Sequence, residues 1–232
     1  MAQKFTFAQR EEGFDAHIEH SIRGYTNLWN DVLKYSEYFV ENDASVVDVG
    51  CSTGKLLKAM HEQNIAFAPN AKYFGIEIEE DFFPGFDKDE ELYAESGFHL
   101  KYHRGDVRDF KFQDSTLITS IFTLQFIPEN QRRDIVKQIY SGLRHGGAFI
   151  FAEKTISECS KIQDIRTFTY YDYKREHFTS DDILNKEREL RHMMKLNTRN
   201  ELLSICAGAG FDFKRMDTFW QNHGFTAFIA IK

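Results

Sequence analysis

Residues 46–57 read VVDVGCSTGKLL: a β-branched run, two glycines with small residues between them, a lysine, and then an amphipathic stretch. A strand that runs into a glycine turn and leaves it as a helix opens many α/β folds, and the turn is where such folds receive phosphates or nucleosides. A phosphate-binding loop places four residues between its glycines and follows its lysine with Ser or Thr to hold magnesium. Here Gly50 and Gly54 enclose three residues, and Lys55 is followed by Leu56. The phosphate-loop reading therefore fails. The dinucleotide pattern G-x-G-x-x-G fails too, because no third glycine arrives in time.

What remains is Asp48-x-Gly50-x-Ser52-x-Gly54, with small residues at every second position. Small side chains let the backbone approach a ligand closely. The helix that follows offers free N–H groups to a carboxylate such as that of the methionine end of S-adenosylmethionine (SAM). The alternative is a tight strand-to-helix turn without a ligand, with Lys55 on the helix surface. Two acids favour the nucleoside. Glu77 ends a second strand, FGIEIEE, where this class of sheet places an acid for ribose hydroxyls. Asp106 follows a third strand in HRGDVRDF, where an acid can accept from an adenine amino group.

Outward from the turn, strands and helices alternate. KYFGIEI, HLKYHRGD, STLITSIFTLQF and AFIFAEK read as strands two to five, and ENQRRDIVKQIYSGLRHGG as a helix with a glycine stop. Before the sheet, residues 8–41 or so read as two helices, with Phe14, Ile18 and Ile22, then Leu28, Val32, Leu33 and Phe39, at helical spacing. Residues 159–195 or so are polar, aromatic and helical in period, an insertion that suits a lid or dimer element. FDFKRMDTFW and GFTAFIAIK are separated only by QNHG, which suits an antiparallel hairpin and is too short for a parallel crossover. The expected fold is a single α/β domain over residues 1–232. Its mostly parallel Rossmann-like sheet has helices on both faces and a C-terminal antiparallel hairpin, as in the class I SAM-dependent methyltransferases.

The net charge of -7 argues against nucleic-acid binding as the main role, although a local basic patch stays compatible with it. Cys51, Cys159 and Cys206 are few and far apart, which points to reduced thiols and a cytoplasmic setting. MAQKFTFAQREEGFD lacks a signal-peptide core, and no run approaches a membrane span. His17 and His20 have no partners at metal-ligand spacing and read as surface histidines, so no metal is expected. The run EIEEDFFPGFDKDEEL reads as a solvated loop and helix. Tyr170, Tyr171 and Tyr173 read as lid or interface packing, with a cation–π contact to a sulfonium as the alternative. Lys186, Arg188, Arg191 and Lys195 form either a solvated basic face or a grip on an anionic substrate.

Nearly the whole chain resembles the carboxy-S-adenosylmethionine synthases, methyltransferase-fold enzymes of the tRNA wobble-uridine carboxymethoxy pathway. The resemblance rests on RGYTNL, DVGCSTG, GDVRDF, FTLQFIPENQRRDIVKQIYSGLRHGGAFIFAEK and the DYKREHF segment leading to KERE. It implies an enzyme that binds SAM, with carboxy-SAM or S-adenosylhomocysteine as the bound product. The SAM methyl, acidified by the sulfonium, is deprotonated to an ylide and captures carbon dioxide released from prephenate, leaving phenylpyruvate. By resemblance, Arg188, aligned without a gap from DYKR, binds the new carboxylate and Tyr25 is the pocket tyrosine. Gly50, Cys51 and Ser52 fall on the SAM loop, Glu77 with Ile78 on the ribose side, and Asp106 with Val107 on the adenine side. The chain departs from the family where Asp-Asn is common at positions 77–78 and where Ile121 replaces a ligand-contacting Asn. A one-residue shift would put Glu187 in the place of Arg188. The resemblance also implies a homodimer joined through the inserted helices. A SAM-dependent methyltransferase for a small molecule or RNA, and a catalytically silent SAM-binding module, are the competing readings.

Overall fold

Val46, Val47 and Val49 are all buried, as befits an inner strand of the sheet, β1 (Ser45–Val49). The computed structural model describes residues 13–94 and 96–232. β2 (Lys72–Glu77) and β4 (Ser115–Ile121) flank β1 in parallel, and β3 (His99–Arg104) extends the parallel set beyond β2. β5 (Leu143–Ile156) joins β4 in parallel. β8 (Phe225–Ile231) then lies antiparallel to β5, and β7 (Met216–Asn222) antiparallel to β8, giving the order 3-2-1-4-5-8-7. The two-residue β6 (Asn197–Thr198) pairs with the end of β5 off this path.

Helices cover both faces, and this is why the inner strands read as continuous apolar runs. On one face α2 (Tyr25–Ser36) and α3 (Lys55–Asn64) bury Leu28, Val32, Leu57 and Met60 against Val46 and Tyr73. On the other, α5 (Glu129–Gly142) and α8 (Arg199–Ala209) bury Ile135, Val136, Ile139 and Leu202 against Val47 and Ile118. The expected α/β sheet with its terminal hairpin is the one observed.

Three boundaries differ from the sequence reading. The fourth strand stops at Ile121, because Phe122 adopts φ 59° and the chain turns into a short 3-10 helix at Leu124–Phe126. The buried Glu153 carboxylate accepts the N–H groups of Leu124 and Gln125 at 2.9 and 2.8 Å, and that holds the turn. The fifth strand starts at Leu143, earlier than AFIFAEK, with a register shift opposite Ser115/Leu117 that absorbs the added length. The hairpin turn is only His223-Gly224, with His223 at φ 47°.

The remaining helices frame the carboxyl ends of the strands. α1 (Phe14–Ser21) precedes α2, and α4 (Phe83–Tyr93), entered through a 3-10 turn at Glu80–Phe82, carries the acidic run. α6 (Ser160–Lys174) and α7 (Ser180–Met193) form the expected insertion, α7 starting at a Thr179/Asp182 capping box. Residues 8–12 of the expected N-terminal helical region lie outside the described residues. Among the described residues, no helix is long and apolar enough to cross a membrane.

Candidate functional site

The glycine turn is shaped by partners on three sides. Gly50 has φ 74°, and a Cβ there would meet Thr123 Oγ1 at 2.1 Å. Gly54, the N-cap of α3, has φ 69°, and a Cβ there would meet the Tyr102 hydroxyl at 2.1 Å. The small size of Gly54 thus makes room for Tyr102, whose hydroxyl donates to Asp89 at 2.9 Å, and Gly54 does not line the cavities described below. Its neighbours Lys55 and Leu56, at the start of α3, line the first of them. Ser52 sits at φ 48° and donates its N–H to Glu77 Oε2 at 2.9 Å. Glu77 Oε1 accepts from Ile78 and Glu79, both at 2.9 Å.

A cavity of about 170 Å³ lies over the turn, lined by Tyr25, Asp48, Gly50, Cys51, Ser52 and Ile121 among others. Asp48 is buried and accepts from Thr119 Oγ1 at 2.7 Å. Burial raises its carboxyl to about 7, against the Thr119 bond and with the Glu77 charge adding to the rise. Burial, and then the charges of Asp15, Asp48 and Glu19, push the Tyr25 hydroxyl well above its ordinary value. It stays a donor through the physiological range. Burial likewise raises the Cys51 thiol, so this cysteine is a packing residue rather than a nucleophile. Lys55 is exposed, 4.0 Å from Glu19 and 5.8 Å from the Trp29 ring centroid, as a helix-surface residue would be.

A second cavity of about 280 Å³ shares Phe14, Ile18, Gly50, Ser52 and Ile121 with the first. Glu77 and Ile78 line it, and so do Lys154, Lys174 and Lys186. Sequence reasoning missed Lys154 and Lys174. Lys154 follows the buried Glu153 at the end of β5, a position signalled only by the EK that closes AFIFAEK. Burial raises the Glu153 carboxyl to about 8 despite the two N–H groups it accepts. Gln125, on the turn that Glu153 holds, accepts the Lys154 N–H at 2.9 Å. The same turn is braced by buried Arg132, which donates to the carbonyls of Ile127, Gln125 and Lys195.

Other expected residues are placed differently. Asp106 follows β3 beside the end of β2, as Gly105 N–H donates to Glu77 O at 2.8 Å, but its carboxylate is taken by Arg108. That bond holds Asp106 below the usual carboxylate range, and neither Asp106 nor the buried Val107 lines either cavity. Arg188 is exposed on α7, donates to Asn185 at 3.2 Å and lines neither cavity. The inward position on α7 belongs to Glu187, which pairs with Lys154 at 3.0 Å, because one residue along a helix turns the side chain by about 100°. Of the basic quartet, Lys186 reaches the second cavity, while Arg191 and Lys195 line an adjoining hollow beyond Lys154.

Tyr170 is buried against Phe225, and Tyr173 donates its hydroxyl to Glu19 O at 3.1 Å, tying α6 to α1. His17 and His20 are half-buried rather than on the open surface: His20 stacks on His177 at 4.4 Å, and His17 lies 5.3 Å from Phe178. Among the described residues no group of three or more His, Cys, Asp or Glu could hold a metal ion.

Residues 46–147 match the family described as "Methyltransferase domain". The chain is similar in fold to human N-acetylserotonin methyltransferase in complex with SAM (TM-score 0.57, 15% identity, 88% of this chain and 51% of that one). A Burkholderia thailandensis O-methyltransferase family protein is similar too (TM-score 0.63, 12% identity, 97% and 61%). At the level of sequence the similarity is far closer to the carboxy-S-adenosyl-L-methionine synthase of Colwellia psychrerythraea, 27% identical over 99% of this chain and 93% of that protein. The Staphylococcus epidermidis enzyme of that name is 35% identical over 98% of this chain and 96% of its own length. With near-complete coverage in both directions, and the sheet, glycine turn and inserted helices in place, the chain belongs to the carboxy-S-adenosyl-L-methionine synthase family of the SAM-dependent methyltransferase superfamily.

Proposed function

We propose that the protein makes carboxy-SAM from SAM and prephenate, for the modification of wobble uridine in tRNA. The observation that carries this reading is the pair of adjoining cavities that share Gly50, Ser52 and Ile121. One has mixed walls, with Asp15, Glu19 and Asp48 beside Phe14, Tyr25 and Trp29, and suits the amino-acid end of SAM, its ammonium above all. The other is largely apolar; its end at Glu77 and Ile78 suits the ribose of SAM, and its lysine end suits a second small organic anion beside the reacting methyl.

The residues fit SAM at three points. The N-terminus of α3 offers N–H groups to the methionine carboxylate, Asp48 offers a buried acceptor, and Glu77 keeps lone pairs for ribose hydroxyls after its three backbone bonds. SAM supplies a sulfonium that acidifies its methyl group, which gives up a proton and accepts the carbon dioxide lost by prephenate. The atoms balance as carboxy-SAM, phenylpyruvate and water. Tyr25, kept protonated, is placed to donate to a carboxylate over the turn. Exposed Ile162, Ile165, Phe168 and Leu184 on α6 and α7 support a homodimer joined through these helices. A cytoplasmic setting fits the reduced cysteines.

Ile121 favours one second reading, a methyltransferase, because an apolar side chain lines both cavities where the family typically has an amide. Incubation of pure protein with SAM and prephenate, followed by mass spectrometry of the nucleosides, separates the two. Carboxy-SAM is expected; unchanged SAM would overturn the synthase, and S-adenosylhomocysteine formed with a cell extract would favour the methyltransferase.

A further inference from the structure

Lys154 on β5, Lys174 at the end of α6 and Lys186 on α7 come from three separate elements and line one cavity. The walls around them are mainly apolar, with Ile22, Phe122, Phe126, Leu190, Met194 and Phe225, and the cavity also includes the carboxylates of Glu77 and Glu79. An ammonium in such surroundings is costly unless its charge is offset. The fold provides offsets at each. Glu187 sits 3.0 Å from Lys154 Nζ, and Glu189 3.7 Å from Lys186 Nζ. The Tyr170 ring lies 5.0 Å from Lys154 Nζ and 5.5 Å from Lys174 Nζ, and the Phe178 ring 5.4 Å from Lys174 Nζ. Two ammonium groups therefore lie over one buried ring. Packing alone gives no reason for this, since apolar side chains would fill the space at lower cost.

We infer that Lys154, Lys174 and Lys186 form the carboxylate-binding wall of this cavity, and that they take a small acid with an apolar ring. The inference rests on the proposed synthase reading, and it assigns the orientation of the second substrate. Prephenate carries two carboxylates, one lost as carbon dioxide and one kept in phenylpyruvate. The kept carboxylate meets the lysines. The departing one lies toward Gly50 and Ile121, in apolar surroundings where loss of its hydration favours decarboxylation. Glu187 acts as a positioning residue that holds Lys154 in place. This gives the inward carboxylate on α7 a role that repulsion of an anion alone would not predict.

Phenylpyruvate and its neutral methyl ester are the probes, titrated calorimetrically into wild-type protein saturated with SAM. The acid is expected to bind about 10- to 100-fold more tightly than the ester. In Lys174→Met and Lys186→Met that ratio should collapse toward one, and Lys186→Arg should restore most of it. A lysine with only a structural role would weaken both probes alike and leave the ratio unmoved. Equal binding of acid and ester to wild type, or an intact ratio in both Met variants, overturns the wall. Carboxy-SAM formation by the wild-type protein is scored separately. Synthesis with an unchanged ratio in the variants refutes the lysines and leaves the synthase standing. A collapsed ratio without synthesis refutes the synthase and leaves the acid site.

Discussion

Glu77 Oε2 accepts the Ser52 N–H at 2.9 Å, so the acid that ends the second strand shapes the turn that leaves the first. With Ile78 and Glu79 donating to its other oxygen, three charge-assisted bonds arrange this loop before a ligand arrives. Glu77→Ala removes both acceptor oxygens and with them all three bonds. SAM affinity should fall about 10- to 100-fold in a calorimetric titration, with Glu77→Gln in between. An unchanged dissociation constant would mean that the turn keeps its shape without the acid.

Burial raises Asp48 to about 7 and Glu153 to about 8, so both bind a proton more tightly in the folded chain than in the unfolded one. Their contribution to stability is complete below the unfolded values near about 4 and is lost as pH rises through the folded ones. Carboxylates held below the usual range, such as Asp106 and Asp114, act in the opposite sense, and only in more acid solution. The melting midpoint should therefore fall from pH 5 to pH 9, and Glu153→Gln should flatten the slope. A profile that rises across this window would contradict the protonated state of both groups.

Gly54→Ala should cost about 2–4 kcal/mol, combining the left-handed backbone with the clash at Tyr102. In urea unfolding, Tyr102→Phe should return part of that loss in the double variant, because it removes the atom 2.1 Å from the added Cβ. Strict additivity of the two changes would locate the cost in the backbone alone.

Glu187 and Arg188 are neighbours with opposite fates. Arg188→Ala should leave stability within about 0.5 kcal/mol of wild type and SAM affinity unchanged, since its side chain is exposed and bonds only to Asn185 among the described contacts. Glu187→Ala strands the largely buried Lys154 and should lower stability by about 1–2 kcal/mol. Equal effects in denaturant titrations would place both residues on the same face of α7.

Strand-to-helix alternation, the hairpin and the helical insertion were legible because each depends on local period and on short connections. Asp48, Gly50 and Ser52 were legible as a turn for the same reason. The direction of a side chain on α7 was not, because one position of alignment error turns Glu187 into Arg188 and no local pattern says which faces inward. Lys154 and Lys174 were hidden more deeply. Lys154 lies near the end of an apolar strand and Lys174 sits among tyrosines and charges, and only the packing of β5 and α6 around Tyr170 brings their charges together. Asp106 was found as an acid after β3, but its pairing with Arg108 two residues on depends on a turn whose geometry the sequence does not display.

Phe14 and Ile18 line both cavities, so α1 is a wall common to the two. Tyr173 and the His20–His177 stack fasten that wall to the inserted helices. A molecule that presses on one side of α1 alters the room on the other. By thermodynamic necessity, whatever one occupant does to the affinity of the second is returned in equal measure. Two occupants of these cavities would in this sense be each other's effectors, coupled through a single short helix.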